Sequence, residues 1–199
     1  MKNLILIAIL FNASIFADYS NHKDSKEVID ELVNEHGFEE SYVINVLKQA
    51  KKRKTALNSV ARPAEKTKTW DDYRAIFLKK KRISDGKKFI QNNITVLERA
   101  EKEFGVPKEV ITAILGVETD YGNIMGSYRV IDSLTTLGFD DPRRSKFFKS
   151  ELIQFFILTR ENNLDILKVK GSYAGAMGYG QFISSSYRAY AIDFDGDGY

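Results

Sequence analysis

The chain of 199 residues contains no cysteine, and this absence excludes several kinds of site. Without thiols there is no disulfide framework, no zinc site built on thiolates and no cysteine nucleophile. A lipid-anchored amino terminus would also need a cysteine, so we expect none. Any chemistry in this chain must therefore use other side chains.

The chain also lacks a strong charge of one sign, since its formal net charge is only +3. Nucleic-acid-binding domains carry dense basic faces, so we predict no nucleic-acid partner. Hydrophobic residues make up 43% of the chain and charged residues 29%, as in a soluble globular protein with one good core. No internal repeat and no low-complexity segment is evident.

Long hydrophobic runs are missing as well, because the apolar run at residues 4–11 is too short to span a bilayer. The run follows Lys2 and leads to Ala17, which is typical of a secretory signal at residues 1–17. Ile15 is bulkier than the small residue usual two places before a cleavage point, so an uncleaved anchor stays open. We expect an exported protein.

Helical spacing of apolar residues recurs along the chain, and no stretch alternates convincingly as a strand. The pattern predicts a mainly α fold, with the apolar helix near 145–162 central to the core. We interpret the basic run at 51–54 as a solvated helix end and place a loop at Arg62 and Pro63. The helices are expected near 25–35, 43–51, 85–104, 107–118, 131–137 and 145–162.

Glu118 lies on the apolar stripe of the predicted helix that begins at Pro107. It follows Ile114 by four residues and Leu115 by three, where the pattern would place an aliphatic side chain. Burial raises the pKa of a carboxyl group, and a protonated glutamic acid can act as a general acid. The alternative is a Glu118 that is solvated at the helix end or paired with a lysine or arginine.

Four glycines lie within residues 171–180, where the backbone could approach a ligand closely. The segment lacks the ending of a phosphate loop, and Ser172 and Gln181 could hydrogen-bond neutral sugar groups. Tight packing around small residues is the alternative. Arg143 and Arg144 precede a predicted helix, where they could hold ligand carbonyls or cover phenylalanines.

Two further stretches offer candidate sites. Trp70, Tyr73 and Phe77 recur at helical spacing, which favours a core face, although Tyr73 is also a candidate for sugar stacking. The last stretch, residues 193–199, matches the first half of a calcium loop. Its candidate ligands are the carboxylates of three aspartates and the carbonyl of Tyr199, namely Asp193, Asp195, Asp197 and Tyr199. A complete loop needs about twelve residues, so we expect a truncated sequence.

Taken together, these stretches resemble the lytic murein transglycosylase B family, whose members cleave the glycan strands of peptidoglycan. The resemblance covers residues 69–199 and is looser before them. It rests on an ordered set of motifs: Trp-Asp-Asp-Tyr-Arg at 70–74, Gly-Val-Pro at 105–107, Gly-Val-Glu-Thr at 116–119, Tyr-Gly at 121–122, Asp-Pro-Arg-Arg at 141–144, the glycine-rich segment 171–182 and the acidic segment 193–198.

The resemblance implies a mainly α, lysozyme-like α+β core with an amino-terminal helical portion. The implied division is a signal at 1–17, the helical portion at 18–68 and a catalytic domain, incomplete at its carboxyl end, at 69–199. Glu118 would be the single acid and base. Ser172, Gln181, Arg143, Arg144 and Tyr73 would contact the sugars. No cofactor is implied for the chemistry, and calcium would be structural.

In the implied reaction, Glu118 protonates the oxygen between N-acetylmuramic acid and N-acetylglucosamine, and the resulting carboxylate then accepts a proton from the muramoyl C6 hydroxyl. The product is a 1,6-anhydro ring. A muramidase that uses water, with Asp120 or Asp132 as a second carboxylate, and a non-catalytic peptidoglycan-binding protein are the alternatives; a calcium sensor is more remote. The implied setting is a periplasmic monomer that meets glycan strands and cell-wall enzyme complexes.

Overall fold

The computed structural model describes residues 18–61 and 69–196. The predicted signal and the predicted loop at Arg62 and Pro63 lie outside the described residues. A short 3-10 turn, Tyr19–Asn21, precedes the helices. The helices are α1 (Ser25–Asn34), α2 (Glu40–Gln49), α3 (Lys54–Ala61), α4 (Trp70–Phe77), α5 (Lys80–Asn92), α6 (Ile94–Phe104), α7 (Lys108–Thr119), α8 (Val130–Asp140), α9 (Ser145–Glu161) and α10 (Ser184–Tyr190).

Strand structure is limited, in the described part of the chain, to one short ribbon and an isolated bridge. Strand β1 (Tyr128–Arg129) pairs antiparallel with β2 (Lys170–Gly171), so that Tyr128 lies opposite Gly171. The bridge joins Met177 to Phe182 within the glycine-rich segment. The predicted mainly α fold with a small β component is confirmed.

Helices α8 and α9 form the centre of the core. Every residue of α8 from Val130 to Phe139 is buried, and α9 contributes the fully buried rings of Phe148, Phe155 and Phe156. This confirms the prediction that the apolar helix near 145–162 is central. Helices α1 to α3 bury apolar side chains in the same cluster, including Val28, Leu32, Val43, Leu47 and Ala56. The amino-terminal helices therefore share one core with α8 and α9.

A fully buried carboxylate, Asp132 on α8, joins the amino-terminal helices to this core. Arg53 donates two hydrogen bonds to it, at 3.0 and 2.7 Å, and Arg129 donates two more, at 3.1 and 2.5 Å. The backbone N–H of Lys51 donates a fifth, at 2.9 Å. Because a buried carboxylate is costly unless it is paired, these donors fix the segment after α2 and strand β1 to the same point.

The basic run at 51–54 was predicted to be a solvated helix end; Lys51, Lys52 and Lys54 are exposed as predicted, but the run does not end a helix. Residues 51–53 form the connection between α2 and α3, and Lys54 begins α3. The backbone N–H of Arg53 also donates to the hydroxyl of Thr136, at 2.9 Å. The charge pattern was compatible with a solvated face, but a long-range partner, Asp132, binds Arg53 instead.

The single helix predicted at 85–104 is two helices that meet at Asn93. Its side-chain amide donates to the carbonyl of Phe89, at 2.8 Å, and its backbone N–H reaches the carbonyls of Phe89 and Ile90. An asparagine side chain competes in this way for backbone groups and favours helix ends. The periodicity of apolar residues continues through the break, which is why spacing alone predicted one helix.

The aromatic face of α4 was predicted to be core, and this is also wrong. No residue of α4 is buried, and 72% of Trp70 is exposed. Tyr73 lies between the rings of Trp70 and Phe77, with ring centroids 6.4 and 5.3 Å away. The rings pack mainly on one another along the helix, which produces the same spacing as a core face.

Tyr121 packs as a wedge between α5 and α7. Its hydroxyl donates to the carbonyl of Arg82, at 2.8 Å, and its ring lies 5.6 Å from that of Phe89. Two helical glycines leave room for it, because a Cβ at Gly86 or at Gly116 would lie 2.7 Å from Tyr121 atoms. The two helices are therefore spaced by one aromatic side chain that follows α7 in sequence.

No helix within residues 18–61 and 69–196 has the length and apolar character that crossing a membrane would require.

We expect the substitution Asp132→Asn to lower the free energy of unfolding by about 3 kcal/mol or more, because it removes the charge that two arginines bind at a buried position. Urea denaturation measures this loss. Asp30→Asn is the matched control, since its ion pair with Lys26 is exposed and should contribute less than about 1 kcal/mol. Equal midpoints for the two variants would contradict the role of Asp132.

We expect Gly116→Ala to destabilise the protein by roughly 1–2 kcal/mol, although alanine favours helix, because its Cβ would overlap the ring of Tyr121. In a Tyr121→Ala background the same change should become neutral or stabilising. A double-mutant cycle followed by thermal unfolding measures the difference. An equal cost in both backgrounds would show that the contact with Tyr121 is not the cause.

Candidate active site

Glu118 lies in the last turn of α7, and its side chain is exposed. The expectation of a buried carboxyl on an apolar stripe is therefore wrong, and the alternative of a solvated Glu118 is confirmed. The neighbouring apolar side chains are exposed too: 53% of Ile114 and 47% of Val117. The residues that α7 buries are small, namely Thr112, Gly116 and Thr119, because the helix packs closely on α5.

The turn that follows Glu118 is unusual in backbone conformation. Asp120 and Tyr121 are consecutive non-glycine residues in the left-handed region, with φ of 51° and 61°. The N–H of Tyr121 donates to the carbonyl of Leu115, at 3.1 Å, which closes the helix end. A non-glycine residue in the left-handed region raises the free energy of the fold and persists only where its surroundings fix it. Here the packing of the Tyr121 ring between α5 and α7 fixes the turn. The end of α7 is therefore a fixed platform for Glu118.

The glycine-rich segment 171–182 lies directly against this platform. The hydroxyl of Thr119 lies 3.2 Å from the carbonyl of Tyr179 and accepts a hydrogen bond from the N–H of Gly122. The ring of Tyr179 lies so close over Gly122 that a Cβ there would be 2.2 Å from the ring. Gly122 also has φ of +89°, so both the space and the backbone require glycine.

Ser172 and Gln181 are used within the loops themselves. The Ser172 hydroxyl accepts hydrogen bonds from the N–H groups of Ala174 and Ala176, at 3.3 and 3.0 Å. The Gln181 amide donates to the carbonyls of Gly178 and Met125, at 3.0 and 3.4 Å. The alternative of tight packing is therefore confirmed for this segment, and the sugar-binding role of Ser172 and Gln181 stays a prediction.

An exposed apolar rim surrounds this region, and sequence reasoning overlooked its most prominent member. Tyr179 is 52% exposed beside Gly122, and Ile124 and Met125 on the facing loop are 65% and 38% exposed. The available signal in the sequence was that Tyr179 lies between Gly178 and Gly180. The neighbouring glycines carry no side chains that could cover the ring, so a ligand can reach its face. Exposed aromatic rings are suited to stacking on sugar rings.

Arg143, Arg144 and Tyr73 are not joined to Glu118 by any contact among the described residues. The guanidinium of Arg143 lies 3.5 Å from Asp141. That of Arg144 lies 4.5 Å from the ring centroid of Phe147 and 5.0 Å from that of Phe148. The interpretation that an arginine covers phenylalanines is confirmed for Arg144. The sugar-binding role of all three residues stays a prediction.

The two carboxylates that the sequence offered as partners of Glu118, Asp120 and Asp132, both lie beside arginines. Asp120 lies 3.5 Å from the guanidinium of Arg82, and Asp132 is enclosed by the two arginines described above. An enzyme that activates water commonly needs a second carboxylate free to bind that water. Within the described residues, the two candidates proposed from sequence are both engaged in ion pairs.

The acidic segment at the end of the chain begins as a tight turn. Asp193 accepts a hydrogen bond from the N–H of Gly196, at 2.7 Å, and Gly196 has φ of +79°. The ring of Phe194 lies 4.1 Å from the Arg99 guanidinium and 5.9 Å from the ring of Phe104, which anchors the segment on α6. Carboxylate oxygens on a tight turn suit Ca²⁺, so Asp193 and Asp195 fit the predicted site. Asp197 and Tyr199 lie outside the described residues.

A second set of groups that could hold a metal lies at the end of α1. Glu31, Glu35 and His36 offer ligand atoms within 4.8 Å of one another. Exposed acidic groups are common without a metal, and no feature of the sequence singled these residues out.

Comparison with known proteins places this geometry in a family. The family model described as "Transglycosylase SLT domain" matches residues 20–199. The chain is 40% identical over 191 residues to membrane-bound lytic murein transglycosylase B of Escherichia coli (strain K12). That match covers 92% of this chain and 53% of the relative, so the chain spans about half the length of that protein.

Two solved structures show the same fold. Lytic transglycosylase SltB1 from Pseudomonas aeruginosa, solved as a catenated form, superimposes with a TM-score of 0.87 at 47% identity, over 92% of this chain and 60% of that one. Escherichia coli lytic transglycosylase Slt35, solved in complex with calcium, gives a TM-score of 0.85 at 41% identity, over 92% and 58%. The chain belongs to the SLT-domain transglycosylase family.

Proposed function

We propose that this chain acts on peptidoglycan as a lytic transglycosylase, with Glu118 as its acid and base. The observation that carries the proposal is the position of Glu118. It lies exposed at the end of α7, and the turn that follows it packs on the glycine-rich segment beside the exposed rim of Tyr179, Ile124 and Met125. Family membership supports the proposal, as does the name of the Escherichia coli relative, a lytic murein transglycosylase.

The proposed chemistry uses one carboxyl group twice. The protonated Glu118 donates to the oxygen that links N-acetylmuramic acid to N-acetylglucosamine, and that bond breaks. The substrate's own acetamido group stabilises the positive charge that develops, as in other substrate-assisted glycosidases. The Glu118 carboxylate then accepts the proton of the muramoyl C6 hydroxyl, whose oxygen bonds to C1. No water is consumed, and the product ends in a 1,6-anhydro ring.

The surroundings of Glu118 support a reaction with one carboxylate. Asp132 is fully buried and bound by two arginines, and Asp120 is ion-paired with Arg82, which favours a reaction that does not use either of them to activate water. The side chains beside Glu118 on the exposed face, Ile114 and Val117, are apolar. A glycan strand that covers them would displace water and favour the protonated carboxyl.

The glycan would lie across the region where the two loops meet. We propose that Tyr179 stacks on a sugar ring, because its face is exposed while its backbone is held by Thr119. Ser172 and Gln181 would contribute hydrogen bonds beside it. Arg143, Arg144 and Tyr73 would lie along the remainder of the groove.

The calcium site and the setting are parts of the same proposal. Asp193, Asp195, Asp197 and the carbonyl of Tyr199 would hold a structural Ca²⁺, as the calcium complex of Slt35 suggests. The export signal predicted at residues 1–17 would deliver the protein to the periplasm. There it would work as a monomer on glycan strands, in contact with other cell-wall enzymes.

We expect Glu118→Gln to reduce the release of soluble muropeptides from purified sacculi by at least about a hundredfold, because the amide cannot donate and accept the catalytic proton. Glu109→Gln on the same helix is the matched control, since Glu109 is exposed in the first turn of α7. It should leave the rate unchanged.

Mass spectrometry of the products distinguishes the candidate reactions. Muropeptides lighter by one water than those released by lysozyme would establish the anhydro product. Products of full hydrated mass would replace the proposal with a muramidase that uses Glu118. Sacculus binding without products, in both the wild type and Glu118→Gln, would leave a non-catalytic binding protein, provided that the Escherichia coli relative is active in the same assay.

A further inference from the structure

A hollow of about 460 Å³ lies between the turn that joins α1 to α2 and the end of α9. None of its lining residues belongs to α7 or to the glycine-rich segment, so it is separate from the candidate active site. Phe38 and Leu164 form its apolar part. Glu39, Tyr42, Arg160 and Asn163 form its polar part.

The apolar wall of this hollow is firmly built. Phe38 is buried, its ring is stacked with that of Tyr42 at 6.2 Å, and it meets Phe156 edge-on at 5.8 Å. The Arg160 guanidinium lies 4.1 Å from the Phe38 ring centroid and donates to the carbonyl of His36, at 2.7 Å. Tyr42 remains 43% exposed, so part of its side chain is accessible to a ligand. The hollow is therefore preformed.

The charged and hydroxyl groups at its rim form no ion pair with one another in the part of the chain that the structure describes, and of the Glu39, Tyr42 and Arg160 side chains only that of Arg160 has a hydrogen-bond partner, the carbonyl of His36. Arg160 uses one guanidinium nitrogen, Nη1, for a hydrogen bond. Glu39 stands at the N-cap position of α2, yet its carboxylate forms no capping bond and no ion pair. The Tyr42 hydroxyl has no hydrogen-bond partner either. A cation, an anion and a hydroxyl thus face one hollow without satisfying one another.

Opposite charges that share a hollow without pairing are complementary to a ligand that carries both charges. A carboxylate can accept hydrogen bonds from the Arg160 guanidinium and from the phenol of Tyr42. An ammonium group can donate to Glu39. The end of α9 lies at the same hollow, and the carboxyl end of a helix favours positive charge. A neutral sugar would use neither charge.

We infer that this hollow binds the peptide stem of peptidoglycan through an amino-acid end that carries a free ammonium and a free carboxylate. The inference rests on the proposed function, because that function supplies the polymer to which such peptides are attached. Arg160 and Tyr42 bind the carboxylate, Glu39 binds the ammonium, and the Tyr42 ring packs on the aliphatic chain. The subsite holds the polymer at a second point, away from the bond that Glu118 cleaves.

The test measures binding of a synthetic stem peptide by isothermal titration calorimetry, with the amino terminus acetylated because that nitrogen is bonded to the sugar in the polymer. Glu39→Gln should weaken the peptide about three- to tenfold, as expected for loss of a partly exposed charge pair. Glu40→Gln is the matched control, because Glu40 is the next residue, is exposed and does not line the hollow. It should bind as the wild type does.

Acetylation of the remaining ammonium, the one that stays free in the polymer, gives an independent arm. It should weaken binding to the wild type as much as Glu39→Gln does, and should have little further effect on that variant. Arg160→Gln should weaken binding of the peptide with and without this second acetyl group alike, with the melting temperature recorded because Arg160 also bonds to His36. Equal affinities of Glu39→Gln and Glu40→Gln, or no saturation by the wild type, would overturn the inference.

The result is separable from the test of the proposed function. Glu39→Gln should leave cleavage of peptide-free glycan unchanged, whereas Glu118→Gln should abolish cleavage and leave peptide binding intact. Peptide binding without any cleavage would refute the enzyme and keep the subsite. Cleavage without peptide binding would refute the subsite and keep the enzyme.

Discussion

The ion cluster at Asp132 is the interaction on which the arrangement of the chain depends. One buried carboxylate on α8 accepts hydrogen bonds from Arg53, which lies between α2 and α3, and from Arg129, which ends strand β1. Strand β1 pairs with β2, and β2 leads directly into the glycine-rich segment. The same residue therefore fixes the amino-terminal helices and the start of the loop that meets the Glu118 turn. Because burial excludes water, Asp132 cannot leave these donors at low cost.

The second constraint is the close approach of small residues at the end of α7. Gly116 admits the ring of Tyr121, and Gly122 admits the ring of Tyr179. The first contact spaces α7 from α5, while the second seats the glycine-rich segment on the helix end. Glu118 gains a rigid backbone from these contacts without being enclosed by them. A rigid and accessible carboxyl is suited to a polymeric substrate, which must enter from the side.

The two candidate binding regions differ in the chemistry that they offer. The region around Tyr179 presents aromatic faces and amide or hydroxyl groups, which suit neutral sugars. The hollow at Phe38 presents unpaired charges of both signs, which suit a zwitterionic peptide end. A polymer made of glycan strands with peptide stems contains both kinds of group. The separation of the regions on the chain is consistent with binding such a polymer at two points.

Local patterns were sufficient for much of the helical structure. Apolar spacing predicted α1, α2 and α9, because each buries its apolar stripe; it also predicted α7, although the apolar side chains of that helix are largely exposed. Ordered short motifs identified the family, since their sequence and spacing are specific. The same patterns failed where two different structures produce the same spacing of apolar residues. The rings of α4 pack on one another rather than in a core. The apolar periodicity of α5 continues into α6 although the helix is interrupted at Asn93.

The sequence by itself determined the helical class and the family, because these depend on local order and residue type, and its motifs made Glu118 the candidate acid. Only the tertiary structure decided that Glu118 is exposed, that Arg53 is bound to Asp132, and that Tyr121 and Tyr179 are held by glycines. These facts depend on contacts between residues far apart in the chain, and spacing along a sequence carries no information about such partners. The charges at the Phe38 hollow are of the same kind: Glu39 and Arg160 become neighbours only after α1, α2 and α9 have packed together.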